Sequence, residues 1–536
     1  MFFEEDTAAL TVKEASVVAS KVTQTRITTE NIHYLIRYGV LKQIRETSGG
    51  YVLNQDEVIT YFEERLQRLK EGFKNSFSCD LNWRLSFSEY RESETTKHVH
   101  RIHPYKGKFI PQLVEYFVDS HIDEFKTESY FRQGDVILDP FCGSGTTLVQ
   151  CNELGIHALG VDISEFNALI SNCKLADIDH SQLHAEALKI NTLLESDETS
   201  IKARILESEL KTLLSEFNKK HFPSPHFRRA VSEGDIKEDS VGHEHALEFC
   251  TCFYELCDKY SIDFTVNEDS KRFLDRWFAA TIRHELALLR QQIFQIASLP
   301  IRNLLSLVLT RTARSVRATK HYDLATLIQP IQRPYYCSKH YKICTPKITL
   351  HGWWKRYLED TARRLVEFKS LRTDTFQECV VGDSKNLDFL NRLSNKQFTK
   401  KISEQKFQGI FTSPPYVGLI DYHDQHAYAY EILELPRRDE FEIGSLSNGQ
   451  RKEAREQYVD EIAEVFKNVK PYLAEDFNVF IVANDRFGLY PKIAEKAGYS
   501  LVNEFKRPVL NRAEGIKGKY LESIFHLRGS TCASGS

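Results

Sequence analysis

Methionine is almost missing from this sequence: Met1 is the only one among 536 residues, and that scarcity has no physical account. Also missing is any apolar run near the ~18 residues that a membrane-spanning helix needs, so no membrane association is expected. The N-terminus, Met1-Phe2-Phe3-Glu4-Glu5-Asp6, is acidic where a secretory signal is basic and then apolar. The eleven cysteines lack the paired spacings of a disulfide framework. They read as reduced thiols of a cytoplasmic protein. Net charge is scarce too: 71 Lys and Arg stand against 75 Asp and Glu, a formal charge of −4. That balance excludes a protein that coats nucleic acid with a uniformly basic surface. A locally basic face stays open.

What is present is an ordinary globular composition, 41% hydrophobic and 27% charged. The length exceeds one ordinary core and implies two to four domains. Residues 1–70 read as a small module. Thr11 with Glu14 forms a capping box that opens a helix, and a second helix runs from about Thr29 to Tyr38 and stops at Gly39. Residues 40–53 suggest a hairpin turning at Ser48-Gly49-Gly50. Asn54 with Glu57 is another capping box, opening a helix to about Leu69. This order resembles a small winged-helix DNA-binding domain, although a helical dimerisation module carries the same signals. Residues 71–102 are polar and read as a linker.

From residue 103 short apolar runs alternate with helical stretches. Strands are expected at Asp135–Asp139, Ala158–Asp162, Glu378–Asp383, Gly409–Thr412, Phe477–Ala483 and Ser523–Leu527. Such alternation predicts an α/β fold, a doubly wound Rossmann-like parallel sheet over 103–175 and 373–528. Residues 176–372 form a helical insertion between its second and third strands. Residues 529–536 are a small polar tail. No internal repeat is present.

Two motifs sit at strand ends. Asp139-Pro140-Phe141-Cys142-Gly143-Ser144-Gly145-Thr146-Thr147 lies between a strand and a helix, where glycines let backbone approach a ligand and the helix N-terminus offers its positive dipole end. Asp162 ends the next strand, where an acid can take both hydroxyls of a ribose. Leu148 stands where a nicotinamide fingerprint needs a third glycine, and no Gly-Lys-Ser/Thr is present, which excludes a P-loop. The second motif is Thr412-Ser413-Pro414-Pro415-Tyr416. Two prolines fix the backbone and remove two N–H donors, leaving carbonyls and the Ser413 hydroxyl as acceptors beside the flat face of Tyr416. That suits a planar ligand carrying an amino group.

With these motifs the sequence resembles the amino-group DNA methyltransferases that use S-adenosylmethionine. Phe141-Cys142-Gly143-Ser144-Gly145 matches their FxGxG-type cofactor motif. Ser413-Pro414-Pro415-Tyr416 matches their catalytic Asp/Asn/Ser-Pro-Pro-Tyr/Phe motif. Arg101-Ile102-His103-Pro104-Tyr105-Lys106-Gly107-Lys108-Phe109-Ile110-Pro111 resembles the segment that borders the methionine end of their cofactor. The resemblance implies that His103, Pro104, Tyr105, Asp139, Phe141, Cys142, Gly143, Gly145, Thr146, Asp162 and Asp383 surround S-adenosylmethionine. Within that set, Asp162 takes the ribose, Asp383 lies near the adenine amino group and Cys142 is a packing residue. It implies a flipped target base and catalysis by Ser413, Pro414, Pro415 and Tyr416. Serine in the catalytic motif points to cytosine N4, with adenine N6 next. Carbon-5 methylation needs a catalytic cysteine after proline, which is absent. The large insertion after the second strand departs from the commonest family patterns. Double-stranded DNA is the expected partner, with cognate restriction or defence proteins besides. Open alternatives are RNA or protein methylation, and a regulator that senses S-adenosylmethionine.

Two further features lie in the insertion. Residues 302–347 hold nine Lys and Arg and one acid, Asp323. Arg311, Arg314, Arg317 and Lys320 recur at a spacing of three, which places them near one helical face and suits phosphate contact. A solvated basic face gives the same pattern. Cys337, His340 and Cys344 are residue types of a zinc site, but a structural site needs four ligands and no fourth is evident nearby. No metal is therefore expected, and amine methylation requires none. The polar run Asp421-Tyr422-His423-Asp424-Gln425-His426 reads equally as base or phosphate contacts and as a helix start. No nuclease constellation is present.

Overall fold

The computed structural model describes residues 8–37, 39–47, 50–77, 81–321, 327–510 and 519–529. At the N-terminus, β1 (Ala9–Thr11), β2 (Gln43–Thr47) and β3 (Gly50–Asn54) form a three-stranded antiparallel sheet, with β3 in the middle. Helices Val12–Thr23, Thr29–Arg37 and Gln55–Phe77 complete the module. Leu10, Ala15, Ala19, Ile32, Leu35, Leu53, Val58 and Phe62 make its core. The Thr11 and Glu14 capping box forms with both reciprocal bonds. The second one forms by half. Asn54 Oδ1 accepts from the Asp56 and Glu57 amides, but the Glu57 carboxylate reaches instead to the Lys42 amide at 3.0 Å. Tyr38, Ser48 and Gly49 lie outside the described residues.

The large sheet contains β4 (Val136–Asp139), β5 (His157–Asp162), β8 (Gln377–Val381), β9 (Phe407–Thr412), β10 (Leu473–Ala483), β11 (Tyr499–Val509) and β12 (Tyr520–Gly529); the hairpin β6 (Tyr335–Cys337) and β7 (Lys342–Cys344) stands apart in the insertion. Its order from one edge is β8, β5, β4, β9, β10, β12, β11. The first five strands are parallel, and β12 runs antiparallel to both β10 and β11. The Rossmann-like sheet therefore carries an antiparallel edge. Its strands are apolar on both sides because both faces are covered. Val136, Leu138, Leu159 and Val161 pack on one face, while Ile137 and Ala158 enter the core of the other. Chain order reverses around β4, so the crevice at the carboxyl ends of β4 and β9 is the switch point where ligands bind in such sheets.

Two expected boundaries change. The polar stretch 71–102 is not a free linker. The helix begun at Gln55 runs on to Phe77, and Leu85, Phe87, Val99 and Ile102 are buried in the core beneath the sheet. Asn82 exchanges two bonds with Lys506, at 2.7 and 2.9 Å, and so extends the β11 edge. Isolated apolar residues in short turns carry no periodic signal, which is why this stretch reads as a linker. The insertion keeps its expected place between β5 and β8 and shares the core of the sheet domain. Leu183, Leu286, Leu305 and Trp354 belong to the same buried cluster as Ile137 and Phe166. Finally, Gly529 belongs to β12, while residues 530–536 lie outside the described residues. β11 has no counterpart among the expected strands. It is an edge strand with a mostly polar face, and Pro508 sits in it where an edge tolerates the missing donor.

Candidate active site

The turn after β4 is built on Asp139, which is buried at the strand end. Its Oδ1 accepts the Thr412 hydroxyl at 2.6 Å and the Phe141 amide at 3.2 Å. Burial raises its pKa to about 6. The first of these bonds ties the turn after β4 to the end of β9, where the proline motif begins. Thr147 adds a second tie, donating to the Phe411 carbonyl at 3.3 Å. Gly143 and Gly145 both take left-handed backbone, φ 52° and 73°. A Cβ on Gly143 would meet the Tyr105 ring at 3.1–3.2 Å, and one on Gly145 would meet Ser171 at 2.8–3.1 Å, its backbone included. Both positions therefore require glycine on grounds of conformation and space.

Asp162 ends β5 and faces the same cleft. It accepts the Gly143 amide at 2.7 Å, the Ser164 amide at 2.9 Å and the Asn167 side chain at 3.0 Å. Burial outweighs these bonds and lifts its pKa to about 6. Asn167 also donates to the Tyr105 hydroxyl at 3.3 Å, and the Tyr105 ring stacks with Tyr422 and with His426, centroids 6.2 and 5.8 Å away. Asp383 lies across the cleft after β8, 3.7 Å from Lys385 Nζ. Ser144 Oγ, Thr146 Oγ1 and Asn167 Oδ1 are buried in the cleft wall without a hydrogen-bond partner. The cleft, open mouth included, spans about 870 Å³.

Ser413 and Pro415 line this cleft from the β9 side. The Pro415 carbonyl accepts the Tyr458 hydroxyl at 2.8 Å, and Tyr458 in turn meets the Tyr490 hydroxyl at 2.8 Å. This buried tyrosine pair fixes the turn. Tyr416 packs its ring against the core of that face and donates to Glu522 at 3.2 Å. Burial, then the Glu522 charge, raises its hydroxyl pKa well above the ordinary value.

One cleft thus gathers Tyr105, Phe141, Cys142, Gly143, Thr146, Asp162, Asp383, Ser413 and Pro415. Asp139, Gly145, Pro414 and Tyr416 stand behind or beside it in the same turns. His103 and Pro104 do not line it. His103 is fully buried against Phe166 and His426, with its Nδ1 2.9 Å from the Pro104 carbonyl, and burial holds its imidazole neutral. Sequence reasoning missed Asn167 and Glu442. Glu442 pairs with His423 in the cleft wall, 20 residues from Tyr422, whose amide it also accepts at 3.2 Å. The polar run 421–426 was the only sign of that pair.

The basic row is corrected. The helix Leu299–Ser315 is buried almost all round and ends before Arg317 and Lys320. Arg311 is 6% exposed, bonded to Asp360 at 2.8 Å and stacked on Tyr357. Arg317 is 5% exposed and donates to the Arg314 carbonyl at 2.9 Å. These two turn inward because Asp360 and the rings of Tyr357 and Tyr428 meet their charges there, while Arg314 and Lys320 are half-buried. Exposed cations of this region stand instead at Arg333, Lys339 and Lys342, on or beside the β6–β7 hairpin.

Comparison with known proteins adds to this geometry. The family model described as DNA methylase, for N6 and N4 methyltransferases, matches residues 9–172. The chain is 41% identical over 522 residues to the type II methyltransferase M.MjaII of Methanocaldococcus jannaschii, covering 97% of this chain and 96% of that one. It is 22% identical over 392 residues to the type II methyltransferase M.MvaI of Kocuria varians, covering 72% and 68%. Among solved structures, the rRNA methyltransferase aviRa from Streptomyces viridochromogenes aligns over 82% of this chain and 93% of that one, at 9% identity and a TM-score of 0.27; that likeness carries no weight. No described helix is long and apolar enough to cross a membrane.

Proposed function

The chain belongs to the N6/N4-type DNA methyltransferases, and from that premise we propose that it moves a methyl group from S-adenosylmethionine to the exocyclic N4 of cytosine in double-stranded DNA. The observation that carries this reading is the shared cleft: the Ser413-Pro414-Pro415-Tyr416 turn and the Phe141–Ser144 turn open on it together, tied by the bond from Thr412 to Asp139. The cleft fits S-adenosylmethionine, since the left-handed backbone of Gly143 lines it between two carboxylates, Asp162 and Asp383, with the apolar ring of Phe141 beside them. Asp162 would hold the ribose and Asp383 the adenine amino group. When bound, S-adenosylmethionine supplies a sulfonium methyl group.

The remaining chemistry belongs to the chain. An exocyclic amine is a weak nucleophile because its lone pair is delocalised into the ring. The Ser413 hydroxyl and the Pro414 carbonyl accept its two hydrogens and favour a pyramidal nitrogen, whose lone pair then faces the methyl. The transfer would need no covalent link to the protein, and the proton that the methylated nitrogen must lose would pass along its bond to the Ser413 hydroxyl or the Pro414 carbonyl toward water. Positioning and electrostatics supply the acceleration. The target base leaves the duplex to reach this turn, with the Tyr416 ring beside it. Serine at position 413 favours cytosine over adenine N6. A role beside a cognate nuclease or in phage defence belongs to the same proposal.

Incubation with tritiated S-adenosylmethionine and duplex DNA, followed by nucleoside mass spectrometry, tests it. N4-methylcytosine is the expected product. N6-methyladenine would move the target atom. Label in RNA or protein alone, or in nothing, would overturn the reading.

A further inference from the structure

The hairpin β6–β7 carries Cys337, His340 and Cys344. Its register sets Cys337 opposite Lys342 and Tyr335 opposite Cys344. The two cysteines are therefore diagonal neighbours on one face of the hairpin, with Tyr336 and Ile343 on the other. That other face is well held. Asn218 exchanges two bonds with Ile343, at 2.9 and 3.0 Å, and the Tyr336 ring fills the space over Gly242. On the cysteine face, His340 folds back over the sulfurs through a turn in which Tyr341 takes φ 53°. His340 Nδ1 lies 3.6 Å from Cys337 Sγ and 3.5 Å from Cys344 Sγ. A further imidazole stands sixteen residues upstream of Cys337, beside His340 and Cys344. The His321 ring is 4.7 Å from that of His340, and the ligand atoms of His321, His340 and Cys344 all lie within 4.8 Å of one another.

We propose that His321, Cys337, His340 and Cys344 bind one zinc ion. Tetrahedral zinc with Zn–S of about 2.3 Å and Zn–N of about 2.05 Å places sulfur and nitrogen about 3.6 Å apart. The two observed separations match that edge. Thiol hydrogen bonds account for them less well, because a neutral imidazole nitrogen has one lone pair and two sulfurs converge on it. Binding releases two thiol protons, and the two thiolates balance the ion's charge. Two histidines and two cysteines close the shell, so the site is structural. It staples the hairpin to the segment that leaves the Leu299–Ser315 helix, and so sets where the exposed Lys339 and Lys342 stand.

Elemental analysis of the full chain, purified reduced from zinc-supplemented medium without chelator, should find one zinc per chain. Cys337→Ser and His321→Ala should each lose it, while Cys252→Ser, an exposed cysteine elsewhere, should keep it. Cobalt titrated into the metal-stripped wild-type chain should give the visible bands of a tetrahedral, sulfur-ligated ion, a readout that does not depend on how the variants fold. Zinc below roughly a tenth of an equivalent together with no cobalt bands would overturn the site. A His321→Ala chain that keeps a full equivalent and an unchanged cobalt spectrum would overturn the ligand set.

Discussion

Replacing Asp139 with asparagine should leave the protein's stability little changed near pH 4 and raise it at pH 8 relative to the parent. Asp139 is 1% exposed. The bonds it accepts from Thr412 and Phe141 favour its charged form, but burial wins and lifts its pKa from 3.8 to about 6. A carboxyl whose folded pKa is raised binds its proton more tightly in the folded state. Its contribution to stability is full below about pH 3.8 and is lost as pH climbs through about 6. The whole effect is roughly 3 kcal/mol, of which about 2 kcal/mol falls between pH 4 and pH 8. Asparagine keeps an acceptor for the Thr412 hydroxyl and has no such titration. Its own burial cost is constant with pH, so the slope is the diagnostic quantity. Unfolding entropy of about 2 cal/mol/K per residue over a chain of this length makes the divergence about 2 °C in Tm. Thermal melts of parent and Asp139→Asn across that range measure it. Parallel curves would refute the argument that the cleft floor holds a buried, reluctantly charged carboxylate.

Three more outcomes are expected. Tyr416→Ala, or joint replacement of Pro414 and Pro415 by alanine, should abolish methyl transfer to DNA while calorimetry still shows S-adenosylmethionine binding; a fully active double-proline variant would sink the catalytic assignment. Gly145→Ala forces a Cβ into left-handed backbone and against the Ser171 backbone, so its urea midpoint should fall by the equivalent of roughly 2–4 kcal/mol. Joint reversal of Lys339 and Lys342 to glutamate should weaken DNA binding and flatten the log–log salt dependence by about 0.9 for each phosphate no longer neutralised; an unchanged slope would put the DNA elsewhere.

The legible parts of this protein are the local ones. Short β-branched runs announced five of the sheet strands and β12, and the Thr11 box announced its helix, because propensity and capping act within a few residues. The two strand-end motifs were legible for the same reason: a glycine turn and a double proline constrain backbone wherever they stand. β11 escaped because an edge strand with Ser500, Asn503, Glu504 and Lys506 on it has no apolar signature. Glu442 escaped because its partner His423 stands on the short helix Tyr422–Gln425, 19 residues away.

Partnership between distant segments is where reading by spacing fails, and the insertion shows both directions of that failure. A spacing of three put Arg311, Arg314 and Arg317 on one side but could not say which way that side faces. Asp360, 49 residues away, turned Arg311 inward, so part of a pattern that resembled a DNA-binding surface went into the core. Conversely, Cys337, His340 and Cys344 looked incomplete because their neighbours in sequence offered nothing more. The fold brought His321 beside His340 and Cys344. The same logic joins the active site, where Thr412 reaches Asp139 across 273 residues. Each motif was visible alone, but the bond that makes the two a single cleft exists only because β4 and β9 are neighbours in the sheet.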